Sequence, residues 1–215
     1  AGLLDTAAIP ERYQQQALND SYFTELKSEY QYLTHKFGLQ AMDANQWRFL
    51  RLRPQNFPHI RIAQLARLYY EQRAGLSQLL ECESVKQVRE LLATQVTRYW
   101  ETHYVFGEES VKSEKKLSAT SLNLLIINTV APILFAYGKH KNSEKYCERA
   151  FDFLETLKAE ENHIVRMWKE VGLMVETAGD LQALIQLKKE YCDRKDCLRC
   201  RIGYEYLKGS SSIKG

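Results

Sequence analysis

Proline and glycine are scarce, at four and ten of 215 residues, which excludes a long coil. Excess charge of one sign is scarce too. The formal net charge is +3, too small to argue for any class of partner by itself. No positively charged stretch leads into an apolar core with a small-residue cleavage site, so no secretory leader is expected. The opening Ala1-Gly2-Leu3-Leu4-Asp5 has no initiator methionine and is read as the start of a processed chain or an excised fragment. No long apolar run is present either. The most apolar stretch, Leu122 to Tyr137, carries Asn123, Asn128, Thr129 and Pro132. It falls short of the roughly 20 residues that a bilayer requires, so a buried core helix and no membrane are expected. Cysteine occurs five times, at Cys82, Cys147, Cys192, Cys197 and Cys200. An odd count without a leader argues against a disulfide scaffold and for a reducing compartment, the cytoplasm.

Motifs of catalysis are missing as well. His35, His59, His103, His140 and His163 are scattered, with no His-x-x-x-His pair, which counts against a helical zinc hydrolase. Glu108 with Glu109, and Glu160 with Glu161, are adjacent pairs. Neighbours in sequence do not face one pocket on a helix. There is no glycine-rich phosphate loop and no Gly-x-Ser-x-Gly. No catalytic residue is assigned, and a small-molecule enzyme ranks last among the function classes.

What the sequence does contain is helical periodicity. Tyr22, Phe23, Leu26, Tyr30, Leu33 and Phe37 recur at steps of three and four, with Asn19 or Asp20 as cap and Gly38 as stop. Further helices are expected over Ala44 to Leu52, with Trp47 and Leu50 inward, and over His59 to Arg73, with Ile62, Leu65, Ala66 and Tyr69 as the stripe. The prolines of Arg53-Pro54-Gln55-Asn56-Phe57-Pro58 make a stiff turn between them. Ser84-Val85-Lys86-Gln87 fits a capping box, from which Val85, Val88, Leu92, Val96 and Tyr99 continue one face. Residues Glu108 to Lys116 read as an exposed loop. A central helix starts at Thr120 or Ser121, kinks at Pro132, buries Asn128 and ends at Gly138. Helices over Ser143 to Leu157, Ile164 to Val171 and Ala178 to Tyr191 follow. No alternating Val, Ile and Thr segments stand between turn signals, and no solenoid repeat is evident. The expected fold is an all-α multi-helix bundle of roughly seven to nine helices without significant sheet. Residues 1–19 are read as a linker-like start, 20–208 as a single helical domain and 209–215 as a flexible tail.

Three ordered segments carry a resemblance. They are Trp47-Arg48-Phe49-Leu50-Arg51-Leu52-Arg53-Pro54 through Ala66, Leu125-Ile126-Ile127-Asn128-Thr129-Val130-Ala131-Pro132 through Gly138, and Gln182 through Cys192 to Gly203. Together they resemble the C-terminal half of DUF 2851, an uncharacterised bacterial family of Bacteroidetes type, over nearly the whole chain. The resemblance implies no known activity. In the family's longer chains, acidic segments of an N-terminal half look somewhat like a PD-(D/E)xK nuclease core, and nothing here matches them. It therefore implies a partner in that missing half.

Arg48, Arg51, Arg53, Arg61 and Arg67 crowd the segment between Trp47 and Leu68, and no acidic residue falls between Arg48 and Tyr70. Arginine is a rigid, always charged fork suited to phosphate oxygens, and Asn56, Gln64 and Phe57 can add base or sugar contacts. The candidate nucleic-acid-binding set is Arg48, Arg51, Arg53, Asn56, Arg61 and Gln64. The alternative is pairing with acids such as Glu71 or Glu101, or capping of carbonyls.

Cys192, Cys197 and Cys200 have spacing that can bring three thiolates to one zinc ion or iron–sulfur cluster. The spacing loosely resembles the cluster loops of helical DNA glycosylases, which need a fourth Cys that is absent after Cys200. Cys147, Cys82 or a histidine would have to complete the set. The alternative is a helix-end turn with partly buried thiols. The leading expectation is a non-enzymatic helical accessory module that binds nucleic acid or positions a nuclease-like domain. A structural or homodimerising interaction module is the alternative.

Overall fold

A computed structural model describes residues 2–211. The fold is predominantly α-helical, as expected. In order come α1 (Glu11–Leu18), α2 (Ser21–Phe37), α3 (Pro58–Tyr70), α4 (Leu76–Glu81), α5 (Val85–Leu92) and α6 (Arg98–Glu101), then strands β1 (His103–Val105) and β2 (Glu108–Glu109). They are followed by α7 (Ala119–Leu125), α8 (Ala131–Lys141), α9 (Glu144–Thr156), α10 (His163–Glu170), α11 (Ala178–Leu187) and α12 (Arg201–Ser211). The strands form an antiparallel hairpin with His103 opposite Glu109, too small to change the fold class.

Instead of one domain the described residues divide into two compact units. One draws on Ala1–Leu79 and Arg89–Leu122, the other on Leu80–Val88 and Asn123–Gly215. The expected linker-like start is largely structured: α1 lies within it, and Ile9 and Ala17 are buried in the core of the first unit. Of the expected tail, residues 209–211 complete α12, and 212–215 lie outside the described residues.

The first unit is built on aromatic packing. Phe23, fully buried, meets Phe106 edge-on at 4.9 Å, and Trp100 meets Phe106 at 5.0 Å. Tyr22 stacks on Tyr99 at 4.0 Å and its hydroxyl accepts from Trp100 Nε1 at 3.1 Å. Asp20 serves twice. One carboxylate oxygen caps α2 at Tyr22 N, 2.9 Å, and the other accepts from the Tyr99 hydroxyl at 2.5 Å. Between the strands, Gly107 has φ +75°, and a Cβ there would lie 2.7 Å from Tyr13 O and 2.8 Å from Ala17 N. The hairpin turn can therefore press on α1 only through glycine.

Lys115 closes this unit. It is 2% exposed, against the expectation of an exposed loop over 108–116. Its ammonium donates to Trp100 O (2.5 Å), Glu101 O (2.9 Å) and His103 O (3.1 Å), and lies 4.0 Å from the centre of the Tyr104 ring. Its own carbonyl accepts from the buried Gln64 Nε2 at 2.8 Å. The α6 end and the strand after it present carbonyls that no helix or ladder satisfies, and a charged donor with three protons answers them.

In the second unit α8 and α9 form a helical hairpin. Asn142 turns it in the left-handed region (φ 51°). Gly138 does not end its helix as expected; it is where α9 crowds in. A Cβ there would lie 2.7 Å from Cys147 Sγ and 2.9 Å from Cys147 N. Thr177 and Asp180 form a capping box that starts α11, and Val165, Val175 and Leu181 pack into one cluster.

Several local expectations change. Residues 44–52 hold only a short 3-10 turn at Ala44–Gln46, and Leu50 is 86% exposed. The buried face of α3 is Ile60, Gln64 and Leu68, with Leu65 and Tyr69 exposed, because Gln64 must reach Lys115. The Val85 face stops at Leu92 with the helix, although Ser84 Oγ accepts from Gln87 N as the capping signature implies. Around Pro132 the strain is relieved by a π-turn at Ile126–Val130, in which Ala131 N donates to Ile126 O. Asn128 is exposed, not buried, and donates to Leu124 O at 3.0 Å. Ala119–Lys141 is long and apolar enough by length and composition to cross a membrane, and about a third of its most apolar window is buried, less than a surrounded core helix would show.

Lys115→Met keeps the aliphatic stem and removes the donor. Glu101 O keeps the backbone N–H of Ser113, while Trp100 O and His103 O lose a donor at about 1–3 kcal/mol each, and the relieved ammonium desolvation offsets part of that. A net loss of about 2–4 kcal/mol is expected from these terms, read as a lower urea midpoint with unchanged slope. An unchanged midpoint would show that the carbonyls find other donors.

Candidate nucleic-acid interface

The segment between α2 and α3 is extended because Pro54 and Pro58 fix its backbone. Pro54 opens a 3-10 turn (Pro54–Asn56), and Pro58 opens α3 at the first helical position. Phe49 and Phe57 therefore fold back on each other, edge to face at 5.3 Å. They form part of the wall of a cavity of about 510 Å³, which also includes Pro54, His59, Tyr104, Phe106, Arg12, Glu108 and Ser110. This volume falls in the roughly 300–1,000 Å³ range of small-molecule sites.

The arginine cluster divides. Arg48, Arg51 and Arg53 are exposed, and their side chains make no hydrogen bond or ion pair with another described residue. Arg51 sits in the left-handed region at φ 64°. Arg61 instead turns inward and donates to Asn56 Oδ1 (2.6 Å), Gln64 Oε1 (3.0 Å) and Ser121 Oγ (3.3 Å), and burial lowers its pKa. Arg67 donates to Glu71 at 2.7 Å and to Val96 O at 3.2 Å. Glu71 also accepts from Arg73, and these two hydrogen bonds hold its carboxyl below the usual range. Of the candidate set, Arg48, Arg51 and Arg53 thus face solvent, while Arg61 and Gln64 of α3 are hydrogen-bonded to each other and Arg61 also to the exposed Asn56 of the preceding turn. Glu101 pairs with Lys112, not with an arginine.

His59 was not singled out by its sequence context. It is 6% exposed, among Phe49 (5.5 Å), Trp100 (5.7 Å) and Phe106 (5.1 Å). Its Nδ1 is buried without a hydrogen-bond partner, and burial lowers its pKa to about 4. The ring is neutral at pH 7 and lines both the large cavity and an apolar one of about 290 Å³ beside it. Its neighbours lie up to 47 positions away in sequence, counted from His59 to Phe106, so no local pattern announces it. Arg12 and Glu108 were likewise unassigned. Tyr13 holds both: its hydroxyl donates to Glu108 Oε1 at 2.7 Å, and the Arg12 guanidinium lies 4.6 Å from its ring centre. The bond to Glu108 raises the pKa of the Tyr13 hydroxyl.

Of the cysteine trio, Cys197 and Cys200 lie near enough to Cys192 to act on its thiol electrostatically. Cys192 and Cys197 are exposed and Cys200 is buried. Among the described residues no three His, Cys, Asp or Glu side chains are grouped so as to hold a metal ion. Burial first, then the nearby Cys200 and Cys197, raise the pKa of Cys192. Asp193 adds to the rise and Lys188 opposes it; the other cations of the turn pair with carboxylates, Arg194 with Glu190, Arg199 with Asp196 and Arg201 with Glu205.

His59 gives a pH dependence of stability. Its folded pKa of about 4 lies below the unfolded value near 6.5. The unfolded chain therefore binds the proton first, and stability falls as pH drops from about 6.5 toward 4. Between pH 7 and pH 5 this group should remove about 2 kcal/mol. Urea titrations of the wild type and His59→Phe at both pH values should differ by that amount in their pH response; equal responses would refute the assignment.

The model of a family described as a protein of unknown function (DUF2851) matches residues 1–163. The match takes in the arginine segment and the π-turn helix and stops short of the cysteine trio and the third resemblance segment. No curated protein and no solved structure matches the chain. With some three quarters of its length under that match, the chain belongs to the DUF2851 family.

Proposed function

We propose that this chain is a helical module that binds single-stranded nucleic acid. The observation that carries the reading is the pairing of two features on one segment. Arg48, Arg51 and Arg53 are exposed without an acidic partner among the described residues, and Phe49, Pro54 and Phe57 between and beside them line an aromatic cavity. Cationic side chains follow a phosphate backbone while aromatic faces take bases in a sequence-tolerant way. The net charge of +3 is no obstacle, because local unpaired arginine, not total charge, supplies the contact. Binding would position a nuclease-like domain of a longer chain.

A second reading, an interaction or homodimerising module, is favoured by exposed apolar side chains on the second unit. Phe151 is 55% exposed and meets Phe135 at 5.6 Å, with Ile133 exposed as well.

Fluorescence anisotropy with a labelled short single strand tests the first reading. Affinity should fall steeply with salt, with a slope near −0.7 per neutralised phosphate. Arg51→Glu with Arg53→Glu should reduce binding at low salt by at least about tenfold while the urea midpoint holds. No binding at low salt, or a double variant that only unfolds, would defeat the proposal.

A further inference from the structure

From the large cavity we infer a base pocket: it takes one unstacked base of the strand, and guanine is the base whose edge fits. The inference rests on the proposed strand binding and adds the ligand class of one site. Two independent observations point into the cavity. The first is His59, 94% buried by its exposure of 6%, neutral, and with its Nδ1 unpartnered. An unpaired buried polar atom carries a cost, and a neutral imidazole keeps its second nitrogen, Nε2, as a donor or an acceptor. The second is charge on the cavity lining. Glu108 and Arg12 both belong to it, and both are held by Tyr13.

Guanine matches this pair. Its O6 and N7 accept from an arginine fork. Its N1–H and amino group form adjacent donors toward a carboxylate, and Glu108 has spent only one oxygen on the Tyr13 hydroxyl. Adenine offers its amino group but no ring N–H beside it, and its arginine-facing edge mixes donor with acceptor. Cytosine and thymine present smaller faces to Phe49 and Phe57. The exposed arginines on the same segment then hold the flanking phosphates.

A strand of abasic deoxyribose phosphates separates the pocket from the backbone grip. An all-abasic strand is compared with strands of the same length carrying one central guanine, adenine, cytosine or thymine. The guanine strand should bind at least about tenfold more tightly than the all-abasic one, the range of base–aromatic stacking, and more tightly than the other three. Arg12→Ala alters an exposed residue and should cut the guanine advantage severalfold while all-abasic binding holds. His59→Phe preserves an aromatic filling and should do the same. If no strand binds, the proposed function fails together with this inference. If all strands bind equally, strand binding stands and the base pocket is overturned. A tighter fit for any other base also overturns it, as does a guanine advantage untouched by both substitutions.

Discussion

The ammonium of Lys115 is the constraint on which the first unit depends. Three carbonyls, of Trp100, Glu101 and His103, converge on one cation that donates to all of them. Because the carbonyls are fixed, α6 and the strand after it are fixed, and with them Trp100, Tyr104 and Phe106. Because Lys115 also accepts from Gln64, the rotation of α3 about its axis is set. That rotation places His59 between Phe49, Trp100 and Phe106. A single buried charge thereby positions an uncharged imidazole two packing contacts away. Burial opposes charge in both, lowering the pKa of each. Lys115 keeps company with three acceptors while His59 Nδ1 has none.

This arrangement also explains why the arginines divide. Those on α3 share its packed face and are used up by neighbours: Arg61 by Asn56, Gln64 and Ser121, and Arg67 by Glu71 and Val96. Those before α3 lie on a segment stiffened by prolines and lacking acids, so they stay in water. Spacing in sequence groups all five; the helix start at Pro58 separates them.

Where a signal was local, the sequence was legible. Asp20 and Gly38 bound α2, Gly172 follows α10, and α9, α10 and α11 fall close to their expected spans, whereas α12 was not foreseen. The α3 stripe misleads because a buried Gln64 outranks an exposed Leu65. Its partner Lys115 is 51 positions away, inside a polar run that composition marks as solvent. The helix expected over 44–52 gives way to a 3-10 turn and an irregular stretch, from which Phe49 packs on Phe57 and His59 while Leu50 stays in solvent. Pro132 shows a subtler limit. It does disturb its helix, but by widening the preceding turn rather than by bending at a buried asparagine. Of the candidate site, the arginines and Phe57 were visible as a composition bias. His59, Arg12 and Glu108 became visible only when distant segments met.

Arg51 occupies a backbone conformation in which the Cβ of an ordinary residue crowds the following carbonyl. Holding it there costs about 1–2 kcal/mol, which glycine would largely spare. The loop thus gives up local stability to display a guanidinium at its bend. Glycine at this position would recover that stability and remove the guanidinium in the same stroke.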